Sequence, residues 1–195
     1  VLDVLARRGL RSTFFVIGAK LRDPPRRALA ERAQAQGHWV GNHTLSHGTP
    51  LGRRPADETL PEITGAEALL GGLNPGRLFR PNGGGGALGP HLLHHAVLPH
   101  LVETRAIVVL WNAIPRDWDD AEGWPDRALA LHANAGQPLL MVLHDLNPRA
   151  MAQLDRTLGR LADAGAEFDQ DFPPECLALQ AGRWLCDPDT VSSGG

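Results

Sequence analysis

His43 and His47 stand four residues apart in the stretch Gly37-His38-Trp39-Val40-Gly41-Asn42-His43-Thr44-Leu45-Ser46-His47. Two imidazoles at that spacing, at the mouth of a predicted strand, can converge on one divalent metal ion. A neutral ring nitrogen suits zinc and related transition ions. Exposed loop histidines are the other reading, since nine histidines in 195 residues give several chance pairs. His91, His94, His95 and His100 make a similar cluster with no supporting context. Further along, Arg80 follows one short apolar segment, Asp117 and Trp118 follow a second, and His144 with Asp145 ends a third. A carboxylate and an imidazole can cooperate in proton transfer near neutral pH. Each position also has a plainer use. His144 could simply end a strand, Arg80 could serve a surface ion pair, and Trp118 could belong to the core. Asp119 and Asp120 read as solvated loop charges.

The chain between these residues alternates in a regular way. A helix end at Leu2 to Arg8 is closed by Gly9, in the position that tolerates a left-handed cap. The aromatic and β-branched run Ser12-Thr13-Phe14-Phe15-Val16-Ile17-Gly18 reads as a buried strand. Helices are expected over residues 25–36, 56–70, 88–98, 126–135 and 150–164. Strands are expected over 38–40, 77–79, 106–111 and 139–143, with a last short one over 166–168. On the second helix, Thr59, Ile63, Ala66 and Leu70 share one face. Near-continuous apolar strands alternating with helices predict a parallel sheet covered by helices, either an open doubly wound sheet or a barrel. His43, His47, Arg80, Asp117, Trp118, His144 and Asp145 all fall at carboxyl ends of those strands. Both architectures place active sites at that edge.

A length of 195 residues suits one domain with a real core, and 43% hydrophobic with 21% charged residues is ordinary globular composition. The net charge of −3, with both signs interspersed, argues against a nucleic-acid surface. No apolar run is long enough to cross a membrane, and no secretory signal is visible in a chain that begins at Val1. Cys176 and Cys186 could staple the C-terminal segment in an oxidising compartment, or stay as two separate thiols. Oligomeric state cannot be read from the chain.

In order and spacing, Ser12 to Gly18, Gly37 to His47, Phe79-Arg80-Pro81, Asp117-Trp118 and Leu143-His144-Asp145 resemble the NodB-homology polysaccharide deacetylases, carbohydrate esterase family 4. The resemblance implies an α/β fold, a distorted (β/α) barrel over residues 1–168 with 169–195 as a C-terminal tail. It implies that His43 and His47 bind a divalent metal, usually zinc, which polarises an acetamide carbonyl and acidifies a water. By the same resemblance His144 is the general acid and Asp117 the carboxylate that orients it. Arg80 then holds the catalytic-base aspartate, while Trp118, Leu143 and Pro81 contact substrate.

The family's first strand carries a Thr-Phe-Asp-Asp-Gly type motif that supplies the base and a third metal ligand, and it would lie ahead of Val1. Asp3, inside a helical pattern, does not replace it. The chain is therefore expected to be incomplete at its N-terminus, a truncated piece of an active enzyme. The alternative is a natural short form whose tail, residues 169–184, covers the gap. Pro81-Asn82 with the glycine run 83–86 departs from the family's usual second proline followed by a glycine or aromatic group, and the glycines predict a softer loop. The implied activity is removal of N-acetyl groups from an amino-sugar polymer or oligomer such as chitin oligomers or peptidoglycan. O-acetyl xylan esterase chemistry, an inactive member that binds glycan or metal only, and a plain α/β domain are the competing readings. The family works outside the cytoplasm or at the envelope, with the cytoplasm left open.

Overall fold

A computed structural model describes residues 1–194. Its first half runs α1 (Leu2–Arg8), β1 (Thr13–Val16), α2 (Pro24–Ala35), β2 (Trp39–Asn42), α3 (Ala56–Leu70), β3 (Leu78–Phe79) and β4 (Leu93–His94). Then come α4 (Leu98–Glu103), β5 (Ile107–Val109), α5 (Trp124–Ala133), α6 (Pro148–Ala152), α7 (Leu154–Asp163), β6 (Leu177–Gln180), β7 (Arg183–Trp184) and β8 (Ser192–Ser193). Contacts gather these elements into two compact units, Val1–Ser12 with Trp111–Cys176, and Thr13–Leu110 with Leu177–Gly195. No helix among the described residues is long and apolar enough to cross a membrane.

The unit holding Thr13–Leu110 contains the sheet, in the order β1-β2-β3-β5-β6-β7. Its β1-β2-β3-β5 ladder is parallel, as the apolar runs predict, whereas β6 and β7 pair antiparallel. The buried strand expected at β1 is half-buried along its whole length, as suits a sheet edge. β6 pairs with β5 at the opposite side of the sheet from β1. Helix α3 matches its expected span and buries Thr59, Glu62, Ile63, Ala66 and Leu70 as one stripe. Each large apolar side chain there contributes about 1.5–3 kcal/mol by burial. The close approach at Gly18 is needed, because a Cβ there would stand 2.7 Å from Ala66 Cα. That approach lets Gly18 N–H and Ala19 N–H donate to Thr44 O and Leu45 O, both at 2.9 Å.

Two expectations in this unit change. The helix expected over 88–98 is a loop, strand β4 and a 3-10 turn, with α4 starting only at Leu98. Pro99 sits in its first turn, where the missing N–H costs nothing. The segment from Leu177, expected as part of a tail, builds three strands into this unit.

The other unit packs α1, α5, α6 and α7. Gly9 closes α1 in the left-handed conformation, φ 64° and ψ 21°. The single helix expected over 150–164 is two, α6 and α7, divided at Gln153. The run 139–143 is not a ladder strand but makes one parallel bridge, Ala113 to Met141. The Asn112 side chain takes the neighbouring ladder positions, accepting Leu140 N–H at 2.7 Å and donating to Pro138 O at 3.0 Å. The segment 166–168 forms no strand, and Cys176 and Cys186 are separate thiols.

Asp155 on α7 accepts Arg7 Nη2 at 3.1 Å and Arg8 Nε at 2.5 Å from α1. Arg8, then Arg7, holds its carboxyl below the usual carboxylate range. A depressed folded-state pKa gives stability that is present above the unfolded value and lost as pH falls through the folded one. Asp155→Asn is expected to lower the thermal midpoint slightly at neutral pH and to flatten its fall into acid. The effect is small because the pairs are exposed. Melts from neutral to strongly acid pH check it, and identical slopes for parent and variant would remove the pairs from the account.

Candidate active site

In the sheet-bearing unit, β2 ends at Asn42 and the chain enters the histidine loop. Asn42 is buried and serves as its template, donating to Ile63 O at 3.1 Å and accepting Thr44 N–H at 2.8 Å. His43 N–H donates to Val16 O at 3.0 Å. The His43 ring places Nδ1 2.8 Å from Arg80 O. A carbonyl only accepts, so Nδ1 carries the proton and Nε2 keeps the lone pair. Metal-ligating histidines use this arrangement to fix tautomer and ring orientation. The His47 ring lies against it, centroids 4.8 Å apart at 63°.

The loop stores backbone strain. Thr44 and His47 have φ of 65° and 54°. Neither is glycine, and such conformations cost about 1–3 kcal/mol each unless the surroundings enforce them. Thr44 Oγ1 accepts His47 N–H at 3.1 Å. Ser46 donates its N–H to Glu62 Oε2 at 2.9 Å and its hydroxyl to Glu62 Oε1 at 2.7 Å. Asn82, also buried, donates to Gly48 O at 2.6 Å, and His91 Nε2 lies 3.0 Å from Gly83 O. The glycine run therefore begins on anchored residues, although 84–86 keep positive φ.

Arg80 is buried at the end of β3. Its Nε and Nη2 donate to Val109 O and Leu110 O at 3.3 and 3.2 Å, and its Cζ lies 4.2 Å over the Phe15 ring. That is a fixed internal cation rather than a surface ion-pair partner. Pro81, expected at the substrate, is buried.

In the other unit, Asp117 is fully buried and both its oxygens serve His144. Oδ2 accepts the His144 backbone N–H at 2.6 Å, and Oδ1 lies 3.0 Å from ring Nδ1. Donation of Nδ1–H to the carboxylate leaves Nε2 as the atom free to exchange a proton. Trp118 meets the His144 ring edge-on, centroids 4.8 Å apart at 77°, and Arg116 Cζ lies 5.6 Å over the indole. Trp118 and Leu143 are half-buried, so both keep accessible surface near His144.

The sheet-bearing unit thus brings His43, His47 and Arg80 together, and the other brings His144, Asp117, Trp118 and Leu143 together. The described residues hold no group of three or more His, Cys, Asp or Glu side chains fit for a metal. Glu62, Ser46, Arg54 and Asn82 escaped the sequence reading. For Glu62 the signal was present, a carboxylate on the apolar stripe of α3, where charge is rare unless partnered.

Residues 1–87 match the polysaccharide deacetylase family model. The chain is 31% identical over 180 residues to a chitooligosaccharide deacetylase of Sinorhizobium fredii, covering 85% of this chain and 79% of that protein. It is 27% identical over 171 residues to the peptidoglycan-N-acetylglucosamine deacetylase PgdA of Listeria monocytogenes, but spans only 34% of that protein's length. Among solved structures, the polysaccharide deacetylase Bc1974 from Bacillus cereus superimposes with a TM-score of 0.70 at 26% identity, over 87% of this chain and 83% of that one. The Streptomyces lividans family 4 carbohydrate esterase, at 21% identity, shares the fold with a TM-score of 0.70 over 99% of this chain and 89% of that one. The NodB-type α/β fold, the family model over residues 1–87 and the Sinorhizobium relative agree: the chain belongs to the polysaccharide deacetylase family.

Proposed function

We propose that this chain carries the machinery for hydrolysing N-acetyl groups on an amino-sugar glycan, with a divalent metal, zinc by donor chemistry, at His43 and His47. The observation that carries the reading is the His43 ring. Its Nδ1 is committed to Arg80 O, which fixes the tautomer, and the ring lies beside that of His47. Two neutral nitrogens fit zinc in chemistry and number as part of a ligand set whose other positions belong to water, substrate or a carboxylate. Bound there, the metal supplies Lewis-acid polarisation of an acetamide carbonyl and a more acidic water.

The chain's own residues do the rest. As the imidazolium, with Nδ1–H on Asp117, His144 delivers its Nε2 proton to the departing amine and is left neutral, while the Asp117 carboxylate orients the ring and pairs with its charge. Trp118 and Leu143 offer apolar surface to the sugar ring and acetyl methyl. Arg80, anchored by two β5-end carbonyls, is a positioning residue for a carboxylate at the reaction centre. The names of the relatives support peptidoglycan or chitooligosaccharide as the glycan class. A second reading, binding of glycan or metal without turnover, is favoured by the two-ligand set found among the described residues.

Zinc calorimetry on the chain, paired with acetate release from N-acetylglucosamine oligomers, tests both. One zinc should bind, and His43→Ala or His47→Ala should each weaken it by about 100-fold or more, since ligand loss exceeds the 10–100-fold cost of losing an outer partner. Parent-like affinity in both variants overturns the metal assignment. Zinc binding without acetate release selects the second reading.

A further inference from the structure

Glu62 lies on the buried stripe of α3, 8% exposed, yet its carboxylate serves the histidine loop rather than its own helix. Ser46 gives both its N–H and its hydroxyl to the two Glu62 oxygens. Arg54 closes the ring, with Nη1 on Glu62 Oε1 at 3.3 Å, Nη2 on Ser46 Oγ at 3.1 Å and Nε on Thr49 O at 2.7 Å. Gly48 N–H also donates to Ser46 Oγ, at 3.2 Å. The hydroxyl's one proton and two lone pairs are then all used. These bonds grip the chain immediately before and after His47, the residue held at φ 54°. A left-handed histidine persists only where its surroundings over-determine it.

We propose that Glu62 is a positioning residue for the metal site: through Ser46, and braced by Arg54, its carboxylate holds the loop in the strained turn that presents the His47 imidazole beside His43. The metal's affinity then depends on a carboxylate that never touches it. The inference rests on the reading of His43 and His47 as the metal pair. A glutamine at 62 keeps the shape but offers one acceptor where Ser46 brings two donors, and it turns an amide N–H₂ toward a donor that must find another partner. Ser46→Ala cuts the hydroxyl arm alone, at an exposed residue the fold does not need.

The experiment is zinc calorimetry on the parent, Glu62→Gln, Ser46→Ala, His47→Ala and the Glu62→Gln/His47→Ala double variant, all below their melting range. Glu62→Gln should weaken zinc by about 10–100-fold, the usual cost of losing an outer partner of a metal ligand. Ser46→Ala should weaken it less, in the same direction. In the His47→Ala background, titrated at millimolar zinc, Glu62→Gln should have no further effect, because nothing is left to position. A residue that merely stabilised the fold would weaken the remaining His43 binding as well, and that result overturns the proposal. So does parent affinity in both Glu62→Gln and Ser46→Ala. Parent affinity in His47→Ala overturns instead the metal reading beneath it.

Discussion

His144→Ala is expected to lower the rate of acetate release by about 10²–10⁴-fold, the usual contribution of a positioned general acid, while zinc affinity stays at the parent value. The separation follows from where the ring sits. It is held by Asp117 and meets Trp118 edge-on. Asp117→Asn should come close to the same loss without removing the imidazole. The carboxylate accepts two N–H donors from one residue, backbone and ring. An amide can accept only one of them on its oxygen, so its N–H₂ faces the other. It also lacks the negative charge that pairs with the protonated ring, the form that carries both the Nδ1 proton and the Nε2 proton the leaving amine takes. Both variants should fold, since the site lies at a loop end, and Asp117→Asn should cost stability because a His144 N–H loses its acceptor on a fully buried side chain. Measured kcat decides the matter. Parent turnover in His144→Ala excludes it as the acid, and parent turnover in Asp117→Asn excludes the carboxylate as the group that orients and pairs with the charged ring.

Much of this site was legible because its residues declare themselves by type and spacing. The aromatic and β-branched run over β1, the glycine after α1 and the stripe on α3 each act within a few residues, which is the range over which periodicity and capping operate. What failed to show was decided by partners distant in the chain. The apolar run 139–143 has strand composition, yet the Asn112 side chain occupies the positions a neighbouring strand would use. The β6–β7 hairpin turns through Ala181 and Gly182, at φ 53° and 79°, which is the two-residue geometry that matches strand twist. Alanine in its first position hides that turn from a reader looking for Asn-Gly or Asp-Gly. Glu62 and Ser46 lie sixteen positions apart, and no local rule pairs them. The histidine pair stood out by type and spacing, but the device that holds the second histidine in a left-handed turn did not.

Trp124→Ala should destabilise the chain by about 3–5 kcal/mol, the range for removing a large buried aromatic side chain. The indole is 1% exposed at the start of α5, and its Nε1–H donates to Ala150 O at 3.1 Å. That bond ties together the segments that follow Asp117 and His144. On the first side, Trp124 N–H donates to Asp120 O, and Asp120 Oδ1 accepts the N–H groups of Glu122 and Gly123, which shapes the loop after Trp118. On the second, α6 has five residues and is preceded by Asn147, whose side chain caps it by accepting from Arg149 and Ala150. A helix that short has no stability of its own and depends on what it packs against. Trp124→Phe separates the two contributions. It keeps most of the apolar area and loses the donor, leaving the carbonyl of fully buried Ala150 without it, for about 1–3 kcal/mol. Denaturant unfolding of the three proteins, with acetate release measured well below the melt, should show the phenylalanine variant losing turnover while still folded, because α6 shifts under His144. If Trp124→Phe matches the parent in both stability and rate, the indole contributes area alone and the positions of Asp117 and His144 are set by the Asp117 carboxylate itself.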